Sequence, residues 1–194
     1  MEDRVVLRRR MSGHGSFLIW LTGLPGSGKT TLAYMLEDHL LTSGMRAFCL
    51  DGDHLRLGLS AGLDFSVEGR RENLRRAAEV ARILVDAGCI VIGAFLSPFR
   101  ADRQRLRARF APSEFAEVHL RCPMEVCERR DPKGLYRLAR AGLIAEFTGV
   151  SAPYEEPSAP ELAVDTHQDS PKACLLKLMA LVRELDGRQG REGL

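Results

Sequence analysis

The sequence predicts an α/β fold: a parallel β-sheet with helices on both faces and one mobile, basic lid segment at the ligand edge. Three observations carry that expectation. Apolar runs of strand length alternate with segments of helical period from Phe17 to Val182, and no stretch repeats another. One junction reads Gly23-Leu24-Pro25-Gly26-Ser27-Gly28-Lys29-Thr30, which meets the phosphate-loop pattern GxxxxGK(S/T) at every fixed position and lies between an apolar run and a helical one. Finally, 194 residues suit a single domain that buries its core without disulfides or a structural metal.

Composition narrows the function classes. Lys plus Arg number 28 against 26 Asp plus Glu, a formal net charge of +2, so nothing in the balance calls for nucleic acid or a membrane as partner. The five cysteines are odd in number, sit mostly in apolar segments and form no CxxC pair, which points to free thiols in a reducing, cytoplasmic compartment. His119, Cys122 and Cys127 lack a fourth ligand at zinc spacing. No apolar run reaches membrane-spanning length, and Arg8-Arg9-Arg10 leads into polar, glycine-rich sequence, so neither a membrane segment nor a signal peptide is expected. Residues 1–15 read as a flexible arm, 16–187 as the domain, and 188–194 as a frayed end.

Taken in order, Phe17 to Leu21 has the length and composition of a buried parallel strand. The helix after the glycine loop sets Leu32, Leu36 and Leu40 on one face and ends near Ser43-Gly44. Between them, glycines let backbone N–H groups close around phosphate oxygens and the helix N-terminus adds its positive dipole end. Lys29 reaches β- and γ-phosphates, and the Thr30 hydroxyl suits Mg²⁺. Gly23 to Thr31 therefore reads as a nucleoside-triphosphate site on a P-loop NTPase-type sheet. A second strand, Ala47 to Leu50, runs into Asp51-Gly52-Asp53, on the edge where open α/β sheets bind ligands.

Arg56, Arg70, Arg71, Arg75 and Arg76 then gather around Phe65 and Asn73, a set suited to an anionic aromatic ligand because guanidinium forks match phosphate or sulfate oxygens. Arg71, Arg75 and Arg76 also read as the wet face of a helix whose other side carries Leu74, Ala77, Ala81 and Leu84. Arg56 and Arg70 precede that pattern and stay open between the two readings. The third strand, Cys89 to Phe95, ends in Leu96-Ser97-Pro98 without the acid that closes a usual Walker B strand, which leaves Asp51 as the best-placed metal-side carboxylate. Arg103, Arg105, Arg107 and Arg109 alternate at a spacing of two and are expected to be solvated. Phe115 to Leu120 gives a fourth strand, and Pro123 opens a helix through Arg130. Residues 131–157 are rich in Gly, Pro and charge with little core pattern, which suits a lid closing over phosphates or an exposed basic loop. A short fifth strand, Leu162 to Val164, precedes a last helix that starts at Ser170-Pro171 and stops at Gly187.

From about Phe17 to Val164 the chain resembles the adenylylsulfate kinase (APS kinase) family. The likeness rests on Gly23 to Thr30, Leu50 to Asp53 with Arg56, Phe65-Ser66, Arg70 with Glu72 to Arg76, Phe95-Leu96-Ser97-Pro98, Asp131 to Tyr136, Phe147-Thr148-Gly149 and Pro153-Tyr154-Glu155, in the family's order. It implies transfer of the ATP γ-phosphoryl group to the 3′-hydroxyl of adenosine 5′-phosphosulfate, with Mg²⁺ held at Thr30 and Asp51. It further implies acceptor binding by Asp53, Arg56, Phe65, Arg70, Asn73, Leu96, Ser97, Lys133 and Phe147, the two phenylalanines sandwiching the purine. Lys29 and Asp51 take the catalytic positions. Ser97 matches a serine often given as a phosphoserine intermediate, yet no histidine or lysine adjoins it as a base, so direct in-line transfer is expected. A homodimer is the family's common form. The chain departs from the family at His54, Phe99, Leu138 and Glu146. On the residues alone, another small-molecule P-loop kinase or a non-catalytic nucleotide-binding module stays open.

Overall fold

The computed structural model describes residues 4–192, with side chains through Gln189. Five strands, β1 (Leu18–Thr22), β2 (Ala47–Asp51), β3 (Ile90–Ala94), β4 (Phe115–Arg121) and β5 (Leu162–Asp165), pair in parallel in the order β2-β3-β1-β4-β5. Leu18 stands opposite Val91 on one side and Phe115 on the other, so the three central strands run flush. Every residue of β1 and β3 is buried, as expected for a sheet covered on both faces.

Alternation along β1 divides the core. Ile19 and Leu21 point to the face covered by α2 (Lys29–Thr42) and α8 (Pro171–Glu192), where they meet Leu32, Leu36, Leu40, Leu178 and Val182. Leu18 and Trp20 point to the face covered by α4 (Val67–Asp86) and α5 (Arg100–Arg107), among Leu74, Ala77, Ala81 and Leu106. Each fully buried side chain of this kind contributes about 1.5–3 kcal/mol relative to exposure. Trp20 owes its place to Gly93 on the neighbouring strand, where a β-carbon would come within 2.4 Å of the indole. Its ring stacks on Phe95 at 4.4 Å between centroids. α4 is capped by Ser66, whose hydroxyl accepts from the Gly69 amide at 3.0 Å, and its buried stripe runs through Asn73, Leu74, Ala77, Ala81 and Val85.

Both chain ends differ from expectation. In place of a flexible arm, residues 4–12 form α1 (Arg4–Ser12), fixed by Arg8 Nη1 donating to the Asp86 carbonyl (2.9 Å), Arg9 Nε to Ser16 Oγ (2.8 Å), and an Arg9–Glu114 ion pair (2.5 Å). The last helix does not stop at Gly187. Beyond that glycine Gln189, buried, accepts from the Ser16 amide and donates to the carbonyls of Ser16 and Ser113, while Asp186 accepts from the Gly15 amide. Those contacts outweigh the roughly 1 kcal/mol by which a helical glycine is unfavourable. The expected frayed segment thus enters the fold at least through Glu192, whereas residues 1–3 and 193–194 lie outside the described residues.

Two further expectations are corrected. Arg103, taken as solvated, is 3 % exposed, and Arg107 pairs with Glu161 and Glu117. Residues 131–157 carry α7 (Leu135–Arg140) and a small core of their own, in which Tyr136, Ala139 and Phe147 pack with Cys127 of α6 (Met124–Arg130). All five cysteines are free thiols, and among the described residues no group of three or more His, Cys, Asp or Glu gathers at metal-binding distance.

Candidate active site

The loops that leave the C-terminal ends of β1, β2, β3 and β5, together with the segment after α6, surround one cavity of about 1070 Å³, the location general to open α/β sheets. After β1 the chain turns through Gly26 (φ +76°), where a β-carbon would meet the Cys127 carbonyl at 2.9 Å, and enters α2 at Gly28 (φ +94°). Pro25 to Thr31 line the cavity, whereas Gly23 and Leu24 stand behind it, Leu24 packing into the small core of residues 131–157. Lys29 Nζ donates to the carbonyls of Gly23 (2.9 Å) and Leu24 (2.8 Å). Its side chain is half-buried at the cavity wall. That burial pulls its pKa from 10.5 down to about 8, against the opposing pull of Asp53 and Asp51.

Asp51, the last residue of β2, is 8 % exposed and uses both carboxylate oxygens. Oδ1 accepts from the amides of Asp53 (2.9 Å) and His54 (3.3 Å), capping the short α3 (Gly52–Arg56), and Oδ2 accepts from Thr30 Oγ1 at 2.8 Å. The carboxylate that meets the phosphate loop thus comes from the end of the second strand. A hydroxyl and a carboxylate oxygen side by side at the phosphate loop are hard donors of the kind Mg²⁺ takes alongside water and phosphate.

The same cavity gathers the other predicted side chains. Arg56 lies over the exposed Phe65 ring, 4.3 Å from its centroid, and donates to the carbonyls of Leu63 and Asp64. Arg70 donates to Phe65 O (2.7 Å), Thr148 Oγ1 (2.7 Å) and Glu146 O (2.9 Å), tying the phenylalanine loop to the segment after α7. Asn73 is buried with an unpartnered Oδ1 at the cavity wall. Phe147 lies edge-on to Tyr136 at 5.0 Å, and Lys133 forms an ion pair with Asp53.

Ser97, after β3, has φ +36° and is 2 % exposed. Its hydroxyl accepts from Trp20 Nε1 (3.1 Å) and donates to Thr22 Oγ1 (2.9 Å), so it faces another hydroxyl and an indole instead of a base.

No motif in the sequence marked another part of the cavity lining, Thr166, His167, Asp169 and Pro171, which lies after β5. Arg130 donates to Thr166 O (2.6 Å) and Gly26 O (3.3 Å), joining this part to the phosphate loop. The available signal was positional: the residues after β5 occupy the same sheet edge as Asp51.

Residues 15–165 match the family model described as adenylylsulphate kinase. An adenylyl-sulfate kinase of Geotalea daltonii is 49 % identical over 94 % of this chain and 92 % of its own length, and one of Thermodesulfovibrio yellowstonii is 48 % identical over 91 % and 88 %. Among solved structures, the Mycobacterium tuberculosis APS kinase CysC in complex with AMPPNP and APS superposes with a TM-score of 0.84 at 42 % identity, covering 88 % of this chain and 98 % of that one.

Proposed function

This chain belongs to the adenylylsulphate kinase family, and we propose that this cavity holds ATP against the phosphate loop and adenosine 5′-phosphosulfate against Arg56, Phe65 and Asn73. The reaction is transfer of the ATP γ-phosphoryl group to the acceptor's 3′-hydroxyl, giving 3′-phosphoadenosine 5′-phosphosulfate. The observation that supports the division of labour is shared lining: Lys29, Thr30 and Asp51 line the same cavity as Phe65, Arg70 and Asn73.

Lys29 neutralises β- and γ-phosphate charge, and the amides of Pro25 to Thr31 cradle the phosphates. Thr30 and Asp51 would hold Mg²⁺, which would screen the charge spreading over the transferred group. Asp51 also orients the 3′-hydroxyl, since phosphoryl transfer depends on position and charge more than on a strong base. With Arg56 on one face of Phe65, the other face is left for the purine, and Phe147 closes the sandwich. Asn73, Lys133 and Arg70 serve the phosphosulfate end, Asp53 holds Lys133 in place, and the Leu96-Ser97 backbone completes the floor. Ser97 shapes this floor and is not phosphorylated in turnover. Residues 131–157 close as a lid over both substrates, excluding water from the transferred group. The working form is a homodimer in the cytoplasm; no described helix is long and apolar enough to cross a membrane.

The test is product identity after incubation with MgATP and adenosine 5′-phosphosulfate, with AMP, shikimate and gluconate as parallel acceptors. A 3′-phosphorylated product from adenosine 5′-phosphosulfate alone supports the assignment. Turnover only with another acceptor overturns the acceptor wall, and nucleotide binding without turnover removes the enzymatic reading.

A further inference from the structure

α5 carries a guanidinium that the phosphoryl-transfer reading leaves without a task. Arg103 is 3 % exposed, and its fork is spent on two backbone carbonyls from separate segments: Nη1 donates to Ser97 O at 2.6 Å and Nη2 to Glu155 O at 2.6 Å. On its third side Nε faces Glu117 Oε1 at 2.6 Å, a buried ion pair whose angle misses hydrogen-bond geometry. Tyr154 lies alongside, its ring centroid 5.8 Å from the guanidinium carbon.

The two segments it joins flank the acceptor wall. Ser97 belongs to the loop after β3 and is held at a positive φ that a non-glycine residue adopts only when its surroundings enforce it. Glu155 belongs to the end of the lid segment, where its amide donates to Pro98 O (2.9 Å) and its carboxylate accepts from the Arg100 amide (2.7 Å). Arg100 Nε adds a bond to Glu156 O (2.6 Å), so the two strands of chain are stitched along their length, with Arg103 as the buried member. A buried arginine is expensive to desolvate and is retained where its planar fork matches two acceptors that a lysine ammonium cannot reach together.

The geometry points to Arg103 as a positioning residue for the reaction. It locks the acceptor floor at Ser97 to the lid's C-terminal anchor at Glu155, so that acceptor binding depends on a side chain that touches neither substrate. The inference rests on the acceptor wall assigned above. Nucleotide binding is independent of it, because Arg103 bonds nothing in Pro25 to Thr31.

The experiment compares wild type, Arg103→Lys and the double variant Arg103→Met/Glu117→Met, which removes both buried charges and so keeps a packable interior. For folded protein we expect the acceptor KM to rise at least tenfold with the Kd of a non-hydrolysable ATP analogue unchanged within twofold. An acceptor KM within twofold of wild type, or equal losses in acceptor and nucleotide binding, overturns the inference. Hydrogen exchange gives a second readout: in Arg103→Lys the Arg100 and Glu155 amides should exchange at least tenfold faster than in wild type while the amides of α2 are unchanged, and protection equal to wild type refutes the lock. Arg56→Ala separates the two levels. If that change leaves the acceptor KM unaltered, the acceptor wall is misassigned, whereas faster exchange at Arg100 and Glu155 in Arg103→Lys would still establish the lock.

Discussion

Lys29 offers the most quantitative prediction, because the fold has altered its proton affinity. Bringing an ammonium from 10.5 down to about 8 corresponds to about 3 kcal/mol of disfavoured charge, an upper figure because solvent at the cavity wall screens part of it. Triphosphate oxygens beside the ammonium reverse the effect and restore its pKa toward 10.5 or above. The sign follows from linkage: above pH 8 the unliganded protein has released a proton that the complex must take back, so affinity falls as pH rises. From pH 7.5 to 9.5 the Kd for an ATP analogue should weaken roughly 20- to 30-fold, with close to one proton taken up per nucleotide at pH 9 and almost none at pH 7. Cys127, which sits behind the loop, is pushed up to about 12 by burial and stays neutral throughout this window. Calorimetry in buffers of different ionisation enthalpy measures both quantities. In Lys29→Met the pH slope should vanish, turnover should fall by about 10² to 10³, and unliganded stability at pH 7 should not fall, because a penalised charge is gone. That stability difference should shrink between pH 8 and 10.5 as the wild-type lysine neutralises in the fold. A flat wild-type Kd across pH 7.5–9.5 without proton uptake would refute the reasoning.

Three other changes probe separate parts of the structure. Ser97→Ala removes a hydroxyl that pairs Trp20 with Thr22 and should cost about 1–3 kcal/mol by urea unfolding, with turnover within about tenfold of wild type; phosphoserine forming at a rate that matches turnover would contradict direct transfer. Phe65→Ala strips the stacking surface and should raise the acceptor KM by about five- to 150-fold, the equivalent of about 1–3 kcal/mol per stacked base, without altering nucleotide affinity. Gln189→Ala deletes three buried hydrogen bonds, two to Ser16 near the other chain end and one to Ser113, and should lower stability by about 2–4 kcal/mol with the KM values intact; a loss below about 0.5 kcal/mol would restore the frayed-end expectation.

What the residues disclosed in advance was mostly local. Strand length, apolar composition and the glycine loop placed all five strands within about a residue of their observed bounds, because buried parallel strands and phosphate loops are specified by nearest neighbours in sequence. Asp51 was legible by elimination, through the acid that β3 lacks. The failures lie where distant groups decide. Nothing near Gly187 announces that Gln189 will meet Ser16 and Ser113, and nothing near Arg9 announces Glu114. An arginine every second residue on α5 looks like scattered surface charge until Glu117, from another strand, selects Arg103 as the one to bury. The cavity lining after β5 escaped for a related reason: β5 is four residues long, and its trailing loop carries no pattern beyond its position.

Trp20 is the chain's single tryptophan, and the packing at Gly93 has consequences for how the protein can be observed. Its indole is fully buried, stacked on Phe95 at the end of β3, and bonded through Nε1 to the hydroxyl of Ser97. Emission excited selectively at the indole, apart from the three tyrosines, therefore originates at a buried ring bonded to the loop after β3. Any rearrangement of Leu96-Ser97-Pro98 changes the polarity and hydrogen bonding of that chromophore directly, while events confined to the arginine-rich surface leave it dark to them. The native protein thus carries a label-free optical reporter on the loop proposed as the acceptor floor, suited to stopped-flow timing of acceptor arrival against nucleotide arrival.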